Sequence, residues 1–497
     1  MIKLVLAYRS PAPFRRRWSG RGSLQRVSVS GSLREEMMED TNSEILDCIV
    51  VGAGAAGLTA ASVLHDAGKT FVVLEARDRL GGRAHSLPLS DGTPIEQGAS
   101  RVHGARTPTW DYVIRTGMAT HGPKPHELVK LSTAREDGTT HPPYFGGGEW
   151  RSGEQSAEVS EALERVPTVL GQPGQEDVSV LDALHQNGFT QAQIDAIAWE
   201  LDAFAPIPID ELSARSAGDG YALGAENVAS FEFVDGYSEL WRRIAEPFAD
   251  RIRLESPVTR VEWSPNGVQV HSAGGQFAAR TAVVTLPLGV LQEGSVTFEP
   301  SLPQAKQEAI DDLRMGLEIK LGAEFRHAFW EPRVGLVNSF FNADSAMNRW
   351  WVPFARRPGP PALIAWTGAI HSAALTGKHE ELEEVFISTL QTMFPEVDVR
   401  AELVALHIAD WPSDPWARGA VSIAPVGAYF KRADLAAPTA PLLWAGEASS
   451  IDGNAESVHG AIATGRRAAL DAFHLLRPLQ PSNPDSRIDW SYFTGLV

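Results

Sequence analysis

The 497-residue sequence carries one cysteine, Cys48. A single thiol excludes a disulfide framework and any zinc site built on cysteines. Positive charge is also short: 44 lysines and arginines stand against 62 aspartates and glutamates, a net charge of −18. That balance argues against nucleic acid as a partner, because a phosphate backbone asks for a basic face. No apolar run is long enough for a membrane-spanning helix, which needs about 18 residues or more. Internal repeats and heptads are missing as well, which argues against a solenoid or a coiled coil. What remains is 43% hydrophobic and 21% charged, ordinary for a soluble globular protein. The length exceeds what one core usually supports, so two domains are expected.

The charge is uneven. Residues 1–34 hold eight basic residues and no acid, leaving −26 on the remainder. Residues 1–44 read as a disordered basic leader or a misassigned start before Met37 and Met38. A transit peptide is the second reading. Cytoplasmic placement is expected, with organellar import if the leader is a real transit peptide. The acidic body could steer a cationic substrate, or serve solubility alone.

Residues 46–83 are the most informative stretch. Residues 49–51 form a short β-branched run suited to a buried parallel strand. The turn G-A-G-A-A-G over residues 52–57 follows at once, with Ala55 and Ala56 inside it. Residues 58–64 read as a helix, and residues 71–74 as a second strand ending on Glu75. This is the context a dinucleotide fingerprint requires. Gly52 makes the tight turn, Gly54 lets backbone approach a pyrophosphate, and Gly57 lets helix pack on strand. Phosphate would sit at the helix N-terminus. Glu75 would accept hydrogen bonds from a ribose, and its charge would repel a phosphorylated one, favouring FAD or NAD over NADP.

The continuation, Glu75-Ala76-Arg77-Asp78-Arg79-Leu80-Gly81-Gly82-Arg83, resembles the E-x-R-x-x-x-G-G-R signature of the FAD-dependent amine oxidase superfamily. That group includes monoamine oxidases, polyamine oxidases, L-amino-acid oxidases and lysine-specific histone demethylases. The likeness continues through about residue 475. The segment P-L-L-W-A-G-E-A-S over residues 441–449 resembles the second flavin motif, with Gly446 and Glu447 implied at the ribityl chain and the helix from Val458 aimed at the flavin pyrimidine. Residues 235–237 resemble the family's G-G-Y segment. Residues 256–261 resemble its adenine-side strand, with Val258 near the adenine. Residues 285–291 resemble its P-L-G-V-L crossover. The resemblance implies that Arg77 and Gly82 contact the cofactor and that Arg83 clamps its pyrophosphate. Some members attach FAD through a cysteine where Ala420 stands here, so FAD is expected to be non-covalent.

Further motifs bear on the chemistry. By resemblance to polyamine oxidases and histone demethylases, Lys320 would contact the flavin through a water. The stretch W-P-S-D-P-W-A-R-G over residues 411–419 resembles the same branch and implies that Trp411 and Trp416 line the flavin or substrate channel. Two departures stand out. The aromatic pair that sandwiches the substrate amine would fall at Val421 and at Ser457 or Asn454, none of them aromatic. The cage is therefore absent or rebuilt from Trp416, Trp366, Trp350 or Trp351. Second, Arg101 stands where amino-acid oxidases grip a substrate carboxylate, yet Val102-His103-Gly104 follows the polyamine oxidase style. Arg101 is either a carboxylate clamp or an arginine paired with a cofactor phosphate or with Glu96. His103 either faces the site or is structural.

The expected architecture is α/β: a discontinuous Rossmann-like FAD-binding domain plus an α+β substrate-binding domain. The first would use residues 45–105, 225–300 and 415–475. The second would use 106–224, expected to be helical, and 301–414, expected to supply a sheet. Residues 476–497 would be a tail. No helical-hairpin insertion like that of the histone demethylase is present. The expected function is an FAD-dependent amine oxidase acting on a small-molecule amine with oxygen, without metal, with homodimerisation left open. Hydride would pass to the flavin, the imine would hydrolyse, and hydrogen peroxide would form. The rivals are an L-amino-acid oxidase, a flavin dehydrogenase or desaturase of a non-amine, and a flavin-bound protein without turnover.

Overall fold

A computed structural model describes residues 45–104, 106–122, 143–151, 157–170, 176–204, 207–219, 230–354, 358–367 and 369–477. The leader over 1–44, Pro142 and the tail from 478 onward lie outside the described residues.

The chain enters through strand β1 (Leu46–Val51), helix α1 (Ala55–Asp66) and strand β2 (Phe71–Leu74). β1 and β2 run parallel, with Val51 opposite Leu74. Strand Gly275–Val284 pairs parallel to β1 on its other side, and Leu442–Trp444 pairs parallel to that. Ile252–Arg253 completes this parallel set beyond β2. Such strands are covered on both faces, which explains why β1 and β2 read as near-continuous apolar runs rather than alternating ones. Antiparallel strands Val258–Ser264 and Gly267–Ser272, with Thr297–Glu299 at the margin, extend the sheet to eight.

α1 is built from small residues for a reason. It packs on helix Val458–Leu476 so closely that a Cβ on Gly465 would lie 2.2 Å from the Ala56 carbonyl oxygen. Alanine and glycine at the crossing let the two backbones approach. The helix continues well past the short segment its sequence motif marks, carried by buried Ala468, Ala469, Ala472 and Leu476.

A second, seven-stranded sheet contains Ile319–Phe325, one strand in from its edge, whose seven residues are all buried. Ala362–Trp366 and Leu403–Asp410 flank it, both antiparallel. Helix His379–Met393 lays Leu382, Phe386 and Leu390 into the core beside it. Three helices, Ala157–Val169, Val180–Gln186 and Gln191–Phe204, enclose a third core around Leu184 and Ile197.

Residues 106–224 are not wholly helical. Tyr144–Gly146 and Glu149–Arg151 form a hairpin that joins the seven-stranded sheet through Ser339–Asn342. Gly147 and Gly148 both take positive φ, 62° and 77°, as a tight hairpin turn demands. Their amides donate to the two Asp344 carboxylate oxygens at 3.0 and 2.9 Å.

Candidate active site

A cavity of about 280 Å³ opens at the carboxyl ends of β1, β2, Gly275–Val284 and Leu442–Trp444. Open α/β sheets hold ligands at this edge. Its lining divides into a glycine-rich cradle and a wall of lysine, tryptophans and carboxylates.

The three glycines of the first turn have separate physical jobs. Gly52 has φ +102°, and a Cβ there would come within 2.6 Å of the Thr285 hydroxyl. A Cβ on Gly57 would lie 1.9 Å from the Gly52 carbonyl oxygen, so glycine is required for helix to meet strand. A Cβ on Gly54 would touch nothing within 4 Å. Gly54 lines the cavity with Ala55 and Ala56, so the missing side chain leaves ligand space. As N-cap of α1, Gly54 brings no side chain to the first-turn amides. They are left for an anion. Gly446 repeats this arrangement: φ is +128°, nothing lies within 4 Å of its Cβ position, and it lines the cavity.

Glu75 is buried at the end of β2. Its two oxygens accept from the Ala53 amide at 2.6 Å and the Arg77 amide at 2.9 Å. The backbone thus aims the carboxylate along the cavity that Ala76, Arg77, Gly82 and Val258 also line. The Arg77 guanidinium pairs with Asp414 at 2.6 Å. Arg83 donates to the Ala420 carbonyl at 2.7 Å and to Glu447 at 3.0 Å. Glu447 also accepts from the Ser422 hydroxyl at 2.6 Å and from the Glu456 amide at 3.2 Å. Burial pushes the Glu447 carboxyl up, but Arg83, Arg432 and the Ser422 hydroxyl outweigh it and hold the group below its ordinary value. An open two-glycine cradle, an uncapped helix start and a fixed carboxylate at the strand end suit a dinucleotide with a diol-bearing ribose.

Lys320 lies on the other wall. Its Nζ donates to the Gly98 carbonyl at 2.8 Å and the Ser100 hydroxyl at 2.5 Å, and sits 4.8 Å from the Trp366 ring centroid. Burial pushes this ammonium down, and the same burial pushes the neighbouring Glu96 carboxyl up. Trp411, Trp416, Val421, Ser457 and Val458 line the same cavity. The Trp411 indole donates to the Gln97 carbonyl at 3.1 Å, which fixes its ring against Gly98. Ser457 caps helix Val458–Leu476, accepting from the Gly460 amide at 3.0 Å.

The four cage candidates separate. Trp366 and Trp416 line the cavity. Trp350 is fully buried and stacks on Phe340 at 5.9 Å, a core residue. Trp351 lines a side cavity of about 30 Å³ and meets Trp366 edge-on. Arg101 belongs to that side cavity too, donating to Glu232 at 3.2 Å with its guanidinium 3.3 Å from the Trp351 ring centroid. His103 faces Ser230, its Nδ1 at 3.2 Å from the hydroxyl oxygen. Neither Arg101 nor His103 is among the residues that line the main cavity.

Sequence reasoning passed over Glu318 and Glu456, which line the cavity as well. Burial raises both carboxyls, Glu456 to about 8. A signal existed for each: Glu318 is two positions before Lys320, and Glu456 immediately precedes Ser457. No group of three residues suited to a metal ion occurs among the described residues. No helix among them is long and apolar enough to cross a membrane.

Comparison with known proteins agrees with this geometry. Residues 55–472 match the family described as flavin containing amine oxidoreductase. Polyamine oxidase 4 of Oryza sativa subsp. japonica is 30% identical over 450 residues, covering 85% of this chain and 87% of that protein. Lysine-specific histone demethylase 2 of Homo sapiens is 27% identical over 469 residues, covering 85% of this chain and 52% of that one. Among solved structures, putrescine oxidase bound to putrescine superposes with a TM-score of 0.73 at 22% identity, over 87% of this chain and 99% of that one. Cyclohexylamine oxidase from Brevibacterium oxydans gives 0.73 at 20% identity, over 87% and 100%. These two structures establish the fold, and the match over 55–472 establishes more: the chain belongs to the flavin containing amine oxidoreductase family and is an FAD-dependent amine oxidase.

Proposed function

We propose that the protein oxidises the carbon–nitrogen bond of a small amine, using non-covalently held FAD and molecular oxygen and releasing an imine and hydrogen peroxide. The observation that carries this reading is the placement of Lys320, buried beside Trp366, in one cavity with the dinucleotide cradle. FAD, when bound, supplies the acceptor for a hydride from the carbon next to nitrogen and passes the electrons on to oxygen.

The chain's own residues do the rest. Glu75 and the open faces of Gly54 and Gly446 hold and orient the cofactor. Arg83 and Glu447 fix each other at the floor, so the segment around Ala420 stays in place. Lys320 spends two donors on Gly98 and Ser100. Its remaining valence can order a water beside the reacting carbon or move a proton there. Trp366 and Trp416 exclude bulk water from that end. Ala420 brings no thiol to the cavity, and Cys48 is buried in β1, which supports non-covalent attachment.

Named relatives acting on polyamines and putrescine support an amine. The amino-acid reading asks Arg101 for a carboxylate clamp. The engagement of Arg101 with Glu232 and Trp351, beside a separate small cavity, favours the amine. We further propose a cytoplasmic protein, with the discontinuous two-domain division drawn from the sequence.

The test is anaerobic mixing of the flavin-loaded protein with two sets of compounds, free amines and α-amino acids. Amines are expected to bleach the oxidised-flavin absorbance, and air to restore it with peroxide. Bleaching by α-amino acids alone would transfer the reading to its rival, and bleaching by neither would overturn it.

A further inference from the structure

We propose that Glu456, together with Glu318 in the same cavity, anchors the cationic nitrogen of the substrate where the family's aromatic pair is missing. The inference rests on the amine reading above and adds the residues that select the charge.

Cofactor and floor account for two of the four glutamates that line the cavity: Glu75 is fixed by backbone amides, and Glu447 is consumed by Arg83 and Ser422. Burial raises the Glu318 carboxyl, against the opposing charges of Arg349 and Lys320. Glu456 has one distant ion pair, 3.6 Å from Arg432. Its backbone sits at φ +65°, a left-handed conformation that a glutamate rarely adopts, and its amide is tied to Glu447. A strained, side-chain-bearing residue held on a cavity wall points to a function for that side chain. Val421 and Ser457 place no ring beside it. Glu456 also borders a second cavity of about 230 Å³ with Asp219, Tyr429, Phe430 and Arg432.

The electrostatics make a signature. Burial raises the Glu456 carboxyl to about 8; Glu447, Glu318 and Asp219 push the same way and Arg432 opposes them. The free site therefore holds this group largely neutral at pH 7. A bound cation favours the charged form, so binding expels a proton. Affinity for a cation must then rise with pH up to about 8 and level off above it.

The experiment uses the flavin-loaded protein and two probes of one shape: choline, whose charge does not titrate, and neutral 3,3-dimethylbutan-1-ol. Binding is read by calorimetry and by perturbation of the oxidised-flavin spectrum, so turnover is not required. Choline is expected to bind more tightly as pH rises from 6 to 9, by up to about tenfold per unit below the midpoint. The alcohol should show no such trend. Glu456→Gln should weaken choline binding and reduce both the trend and the preference over the alcohol, leaving the part that Glu318 supplies. Glu318→Gln should move the midpoint to lower pH, because it removes a charge that raises Glu456. Choline binding that ignores pH in the unaltered protein overturns the proposal, as does a Glu456→Gln protein that keeps both trend and preference undiminished. If Glu456→Gln loses its flavin, Glu318→Gln decides alone, and an unshifted midpoint overturns the proposal. The expected choline behaviour in a protein that no amine bleaches would sink the amine reading and leave the cation anchor standing.

Discussion

Arg77 and Asp414 stand 337 positions apart in sequence and meet as an ion pair at 2.6 Å. The pair joins the end of the first nucleotide motif to the tryptophan-rich turn. The same Asp414 oxygen accepts from the Trp416 amide at 2.8 Å. Arg77 therefore sets Trp416 against the cavity through one carboxylate. Asp414→Asn should cost about 1.5–3 kcal/mol of stability, the range for a hydrogen bond to a charged group. The loss would show as a lower urea midpoint, with weaker flavin retention because Trp416 is no longer held.

The glycines of the first turn should fail differently. Gly57→Ala puts a methyl 1.9 Å from a backbone oxygen, so the fold itself must shift. Overpacking of this kind costs about 1–3 kcal/mol. Gly54→Ala meets no protein atom, so the flavin-free protein should melt near the unaltered one while flavin content at purification falls. Equal melting losses in both variants would contradict the assignment of Gly54 to ligand space.

Arg101→Ala should not separate amines from α-amino acids. Its guanidinium is engaged by Glu232 and Trp351 beside the side cavity. Bleaching by amines is expected to persist in this variant, and the response to α-amino acids is expected to match that of the unaltered protein. A selective loss with acidic substrates would restore the carboxylate clamp.

Lys306 gives a pH test away from the cavity. It is buried and donates to the Leu435 and Ala437 carbonyls at 2.6 and 2.7 Å. Burial pushes its ammonium down to about 7. The unfolded chain keeps this proton until about pH 10.4. Between those values the unfolded state binds more protons, so this group makes stability rise with pH, at a limiting slope on the order of 1.4 kcal/mol per unit. Lys306→Met should remove that slope. Urea midpoints at pH 6, 8 and 10 would show the unaltered protein gaining on the variant as pH rises.

The nucleotide-binding half was readable because its determinants are local. A β-branched run, three glycines at fixed offsets and an acid at the next strand end lie within thirty residues, and each has one conformational use. Sequence period also found Phe71–Leu74 with its bounds intact. It could not show that residues 144–151 join the sheet of the second insert, because that pairing is made with Ser339–Asn342.

The sequence by itself carried the expectation of a dinucleotide turn over residues 52–57 with Glu75 at the next strand end, and resemblance to polyamine oxidases pointed to Lys320. The turn and the acid follow from backbone geometry and residue type over short spans. Only the tertiary structure decided that Trp350 is core while Trp366 lines the site, that Arg101 is engaged by Glu232, and that Glu318 and Glu456 open onto the cavity beside Lys320. Each of those outcomes depends on which distant strand supplies a neighbour, and on whether burial leaves a charge with a partner or with a cavity.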